Sequence, residues 1–446
     1  MMKKLIVLLH IILLSCMHLS AQTINLDQAR VLALANSRSL EKYNLSLRSS
    51  LLDEKSHLYT MLPVVSAGYS ASMTYLNKEW GLENPLDTFN SGLDFSITQK
   101  IFEGGKSFIQ KSISGIATES VRKEALAEYF NVLDAVDNAY YAALEAAATL
   151  EAEETSLQTA VASLATAEIR QASGMINAGD FLKALADREA REYSRNQARR
   201  NLSLSMTRLR SLTGLADTVA LEPVNFDAYE AMIRVLAAMS DAEAGALYDR
   251  FWTILAAANP SLARAALNTQ RAEKNLSLAK RDYAPVLSAT VFSVGINYST
   301  VAGFSHASGG GISIRGSIPV DFWVMNNRIE KSKIARDSSL LDYISAEVNL
   351  ETELQSALLN ILTYAGSVAH SSLSLEYTEK HFEYVMERYR LSQGSISDVN
   401  DASALLINSR NTHIKSRYGF LQSLSKLRSL GAIDDEDKLI SLLMEK

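Results

Sequence analysis

The chain has 446 residues, 47% of them hydrophobic and 21% charged, and 44 Lys+Arg against 50 Asp+Glu leave a net charge of -6. Such a composition folds, and without a basic excess or aromatics interleaved with Lys and Arg it excludes nucleic acid as a partner. The single cysteine, Cys16, excludes internal disulfides, thiolate zinc sites and a cysteine nucleophile from everything downstream.

At the start, Lys3 and Lys4 precede an apolar run over 5–14, and the chain turns polar toward Ser20-Ala21-Gln22. This pattern predicts a secretory signal peptide over 1–21. The run is too short for a membrane helix, which needs about 20 residues. Two fates stay open: cleavage after Ala21, or lipidation at Cys16, because Leu13-Leu14-Ser15-Cys16 resembles a bacterial lipoprotein signal.

The exported part, 22–446, opens with a helix-period segment over 26–60, stopped beside Pro63. Residues 64–76 then alternate: Val65, Ala67, Tyr69, Ala71 and Met73 share one face, and Ser66, Gly68, Ser70, Ser72 and Thr74 the other. Residues 92–101 form the partner strand, so 64–101 is a hairpin with a polar outer loop over 77–90. A helix without proline follows over 106–171, roughly 100 Å long at 1.5 Å per residue. It breaks near Ser173-Gly174 to Gly179, and a helix returns from Asp180 to Leu212, with Asp180 placed to cap it.

Residues 215–245 connect to a second pass as an equatorial segment, and Leu221 to Gly245, acidic, reads as a belt around the tube or an adaptor contact. Asn259-Pro260, a cap and first-turn pair, opens a helix to Tyr283; strands follow over 286–300 and 311–320 with a loop at 301–310. A second long helix occupies 326–393, the turn lies at Gly394 to Ser397, and the returning helix runs from Asp398 to Leu430. The tail Asp434-Asp435-Glu436-Asp437 reads as solvent-exposed.

The two passes are copies. Ser39-Leu40 and Pro63-Val64 recur at one fixed offset as Ser261-Leu262 and Pro285-Val286. Asp180 and Leu209-Arg210-Ser211-Leu212 recur at a second, slightly shorter offset as Asp398 and Leu427-Arg428-Ser429-Leu430. One channel domain of two repeats, 22–214 and 246–431, joined by 215–245, therefore describes the chain. The barrel hairpins are 64–101 and 286–320. The fold class is mainly α, with long coiled-coil helices that build a helical barrel, plus a membrane β-barrel. Four strands cannot close a barrel, and lipid forbids free sheet edges, so copies must complete it. A trimer supplies twelve strands, an even number within the range of outer-membrane barrels.

These features resemble the TolC family of outer-membrane efflux channels over nearly all of 26–431. Leu26-Asp27-Gln28-Ala29 with Ala33-Leu34-Ala35-Asn36 is similar to the family's opening helix. Gln99-Lys100-Ile101-Phe102-Glu103-Gly104-Gly105-Lys106 resembles its strand-to-helix junction, where Gly104 and Gly105 turn the chain without a Cβ clash. The second junction departs from this, with Phe322-Trp323 in place of the glycines. Arg388-Tyr389, Gly394, Asp398-Val399-Asn400-Asp401-Ala402 and the closing 427–431 resemble the last helix pair. Gly394 to Asp398 is shorter than Gly174 to Asp180, which leaves that loop's geometry open.

The resemblance implies a periplasmic gate at the helix tips lined by Asp180, Asp398 and Asp401, with Arg388 and Tyr389 as possible gate contacts. Asp398 and Asp401 are three apart and share a helix face, so three copies would ring the pore with six carboxylates and favour cations. For Asp180 and Asp398, helix capping alone is the competing reading. No metal site and no cofactor are expected, since His57, His306, His370, His381 and His413 make no ligand spacing and no phosphate-binding glycine motif opens a helix.

The expectation is therefore not an enzyme but an outer-membrane channel-tunnel extending into the periplasm, the passive exit duct of a tripartite efflux system. Its implied partners are two further copies, outer-membrane lipid, a periplasmic adaptor (membrane fusion) protein and an inner-membrane pump. A type I protein-secretion duct is the alternative within the family; a periplasmic coiled-coil scaffold or adaptor without a barrel, or a periplasmic hydrolase, are alternatives of other classes.

Overall fold

A computed structural model describes residues 23–74, 88–216, 219–299 and 303–445. The signal peptide, its cleavage site and Cys16 lie outside the described residues, as does most of the 77–90 loop. In chain order the elements are β1 (Thr23–Ile24), α1 (Leu26–Asn36), α2 (Arg38–Tyr59), β2 (Val64–Thr74), β3 (Thr88–Phe102), α3 (Lys106–Ala172) and α4 (Ala178–Thr213). Then come β4 (Ala220–Leu221), α5 (Asp227–Ala237), α6 (Asp241–Ala258), α7 (Pro260–Lys280), β5 (Val286–Ser299) and β6 (Gly303–Ser317). The chain closes with α8 (Phe322–Arg390), α9 (Ile396–Gly431) and α10 (Glu436–Met444).

The opening helix is two helices. Ser37 is extended between them, and its Oγ accepts from the Leu40 amide at 3.3 Å, so it caps a new helix where the periodicity alone predicts continuation. Two compact units arise, one from residues up to 41, 126–259 and 349 onward, the other from 42–125 and 260–348.

The second unit holds an antiparallel sheet of order β2-β3-β5-β6. Its register aligns Val65, Ile97, Val291 and Ile312 in one row across all four strands. Each is between 46% and 76% exposed, so a whole apolar row faces outward in the single chain. The next row, on the opposite face, runs from Val64 at the β2 edge through Thr98 and Thr290 to Ser313, with the two threonine hydroxyls 3.1 Å apart. β2 and β6 are open edges.

β6 starts at Gly303, whereas the sequence reading placed a loop over 301–310. The ladder to β5, from Gly303↔Ser299 to Gly310↔Ser293, supplies the hydrogen bonds that outweigh the low strand preference of its glycines.

Both strand-to-helix junctions lie in this unit. Gly104 and Gly105 have φ of 67° and 75°, and a Cβ on Gly104 would fall 2.3 Å from the Ala284 Cβ. The Arg281 guanidinium donates to the Gly104 carbonyl at 2.7 Å. The second junction turns without left-handed residues: Val324 and Met325 amides donate to the Asp321 carbonyl, and Phe322 stacks on Tyr283 with centroids 6.1 Å apart. Asp282 ties the starts of both long helices, bonding Lys106 of α3 and Arg328 of α8.

The first unit packs α3 and α4 with α8 and α9. Asp137 of α3, fully buried, accepts from Arg30, Ser425 and Arg428, which joins α1, α3 and α9. Removing one member of such a buried pair costs about 3–5 kcal/mol, because the other charge is stranded. β1 and β4 form a short parallel bridge, and the Tyr140 hydroxyl meets the carbonyls of Ile24 and Glu222. The acidic tail is not all exposed. Asp435 caps α10, whose Leu439 and Leu443 are buried, and Glu436 accepts from the Tyr229 hydroxyl at 2.7 Å.

Candidate functional site

The turn from α3 to α4 and the turn from α8 to α9 are built alike. In the first, the Met175 amide donates to the Arg170 carbonyl and the Gly174 amide to Gln171, with Gly174 at φ 69°. In the second, the Gln393 amide donates to the Arg388 carbonyl and the Ser392 amide to Tyr389, with Ser392 at φ 63°. This is one helix-ending motif used twice, every partner separated from its counterpart by the same offset that relates Asp180 to Asp398. The left-handed residue of the second turn is Ser392 rather than Gly394. The two turns therefore have equal length, and the apparent deficit in the second disappears.

The caps also differ from expectation. Asn177 and Ser395 are the N-caps, accepting from the amides of Asp180 at 2.9 Å and Asp398 at 3.1 Å. Asp180 and Asp398 stand three positions inside, because Asn177 and Ser395 hold the extended position before each helix, from which a side-chain oxygen reaches the free amide. Asp398 closes a capping box by accepting from the Ser395 amide at 3.0 Å. Those bonds, and then the Arg388 charge, hold its carboxyl below the usual carboxylate range. Asp180 accepts from the Asn177 amide group at 3.0 Å and lies 3.6 Å from the Lys183 ammonium.

Along α9, Ile396, Val399 and Ala402 face inward and are buried, while Asp398, Asp401 and Leu405 line the other side. Asp398 and Asp401 border an open concavity of about 380 Å³ with His381, Tyr384, Arg388 and Gly394. Arg388 donates to the Gln393 carbonyl at 2.8 Å and lies 5.9 Å from the Tyr384 ring centroid. Two acids and one cation thus share a face, while Asp180 is not part of this concavity's lining.

Tyr389 points the other way. It is 1% exposed, in a core made with Ala167, Ala184, Val385, Ile396, Val399 and Ala402. Burial pushes its phenol up, and Arg170 stacks on its ring. In this chain Tyr389 holds helices together, and Arg388 alone of the pair is presented at the surface. Arg170 and Tyr384 carry no signal in the sequence reading, although Arg170 is the repeat counterpart of Arg388, and His381, read there only as one of the scattered histidines, lies beside the acids. Among the described residues no three His, Cys, Asp or Glu converge as metal ligands.

Comparison with known proteins gives the setting. The sequence model of the family "Outer membrane efflux protein" matches residues 29–215 and 254–432. Outer membrane protein TolC of Escherichia coli (strain K12) is 22% identical over 398 residues, which cover 83% of this chain and 75% of TolC. The Campylobacter jejuni CmeC outer membrane channel superposes with a TM-score of 0.78 at 15% identity, over 93% of this chain and 88% of CmeC. The open state of the Neisseria gonorrhoeae MtrE outer membrane channel superposes with a TM-score of 0.71 at 15% identity, over 91% of this chain and 88% of MtrE.

Proposed function

Because the chain belongs to the outer membrane efflux protein family, we propose that it is the passive exit duct of a tripartite efflux system, a homotrimer gated at its helix tips. The protein resides in the outer membrane, and the relatives above are channels rather than enzymes. In this reading 22–446 is one channel domain, with repeats 22–214 and 246–431 joined by 215–245.

The observation that carries the reading is the open four-stranded sheet with an outward apolar row across all four strands and the Thr98, Thr290 and Ser313 hydroxyls on the opposite face. In water each exposed Val or Ile of the apolar row forgoes about 1.5–3 kcal/mol of burial, and lipid supplies it. Three chains joined from β6 to β2 would pair every edge, with twelve strands and the hydroxyl face turned to water. Exposed aromatics crowd the junctions: Tyr59, Phe102, Phe108, Phe322 and Trp323. Such rings suit the boundary between hydrocarbon and water.

The long helices wall the periplasmic part of the duct. Asp398 and Asp401, with Asp180 on the neighbouring tip, form the constriction, and its carboxylates favour cations. Arg388 steadies the acidic face through the Asp398 side, and Tyr389 keeps the tip's inner face in register. A periplasmic adaptor docks on the helices, an inner-membrane pump supplies the energy, and the tips swing outward to open the way. The test is purification in detergent followed by mass determination and insertion into planar bilayers. A trimer that conducts supports the duct; a monomer that neither inserts nor conducts refutes it.

A further inference from the structure

Arg170 stands in the last turn of α3, yet its side chain belongs to the last turn of α8. Its guanidinium lies over the Tyr389 ring, 4.2 Å from the centroid, and its Nη2 donates to the carbonyls of Tyr389 and, at 3.4 Å, of Arg390. Those carbonyls close a 69-residue helix, where the backbone leaves acceptors free and the helix dipole is negative. Arg170 is 8% exposed and pairs with no carboxylate among the described residues, so the helix end and the ring face balance its charge.

The repeat makes this arrangement informative. Arg388 occupies the position equivalent to Arg170, but it is exposed and bonds Gln393 of its own turn. Tyr389 has Gln171 as its counterpart, which offers no ring for Arg388 to stack on. Only one of the two equivalent arginines crosses between the tips. Around the crossing, Ala167 and Ala184 of the first tip pack with Val385, Ile396, Val399 and Ala402 of the second. Val399 and Ala402 directly follow Asp398 and Asp401, so the inner face of the acidic segment is seated on the clamped core. The Tyr389 hydroxyl is buried with no hydrogen-bond partner among the described residues, so the ring is fixed by its face and its backbone, not by its polar tip.

We propose that Arg170 is the positioning residue that clamps the two helix tips of one chain together, so that Asp180 and the Asp398/Asp401 face move as one body. This rests on the reading of the tips as the constriction, but the clamp is measurable without it.

The experiment is a spin-label distance measurement in the full chain with Cys16→Ser, using Met175→Cys and Leu391→Cys, one exposed site on each tip. An excess of unlabelled chain ensures that each assembly carries one labelled copy. With Arg170 present the distance is a single narrow peak. Arg170→Gln loses that peak and gives a broad distribution, and Arg170→Lys, which keeps the cation without the planar stack, falls between. Arg388→Gln leaves the peak narrow, because its bonds stay within one turn. If Arg170→Gln lowers the melting temperature while the peak stays narrow, the residue is merely structural and the proposal falls. Should Arg170→Gln fail to fold, Tyr389→Leu removes the stacking face alone, and an unchanged peak in it and in Arg170→Lys overturns the clamp. Cation selectivity of Asp398→Asn/Asp401→Asn is read separately: unchanged selectivity with a broadened Arg170→Gln distance refutes the constriction and keeps the clamp.

Discussion

At the scale of single residues, Ser392 bears a left-handed backbone that glycine bears in the other turn. A side chain there costs roughly 1–2 kcal/mol, so Ser392→Gly should stabilise the second tip by about 0.5–1 kcal/mol in thermal unfolding, and no gain would mean Ser392 has a compensating bond. Asp398 gives a pH prediction. Its folded pKa is depressed, so its capping contribution is present above the ordinary carboxylate range and is lost as pH falls below that range through the depressed value. Protease cleavage at the 391–395 turn should rise across that window in the native chain, and the rise should be flattened in Asp398→Asn. The tips also show where sequence reasoning stopped. Asp180 and Asp398 were visible as paired acids, but Asn177 and Ser395 took the caps because a cap depends on which side chain meets the free amide. Arg170 was invisible for a different reason: its partner lies in the other repeat and is mostly backbone.

At the element level, alternation suffices to find β2 and β3, whose apolar and polar residues fall largely on opposite faces, whereas β5 mixes Phe292 with Ser288 and Thr290 on one side and is marked by its Val-, Ser- and Thr-rich composition after Pro285. Alternation failed for the first half of β6, where glycine and serine carry little preference and the ladder to β5 decides. Ile97 is at the centre of the outward row, flanked by Val65 and Val291. Ile97→Lys should cost about 2–4 kcal/mol in folding from urea into lipid, the penalty of a lysine near the bilayer midplane. A cost near zero would place that face in water. The first junction makes a sharper case. Gly104→Ala meets both a left-handed φ and the Ala284 Cβ at 2.3 Å, which adds to at least about 2 kcal/mol. Ala284→Gly in the same chain should recover the overlap and leave the backbone part, about 1–2 kcal/mol. Full recovery would show that packing alone requires Gly104.

At the scale of the whole molecule, the sequence disclosed a repeated plan and an unclosed sheet, and the need for further copies follows from the free edges rather than from any motif. The long helices were legible because nothing interrupts them: α3 and α8 run 67 and 69 residues. The break at Ser37 was not, since one serine cap can restart a helix without changing its apolar period. The proposed function gives the acids at the tips control over what the duct passes. The most direct measurement is the reversal potential of single channels under a salt gradient, for the native chain and for Asp398→Asn/Asp401→Asn. Cation selectivity is expected in the native channel and its loss in the variant, with conductance equal or higher. Equal selectivity in both would contradict that control, and would move the constriction away from Asp398 and Asp401.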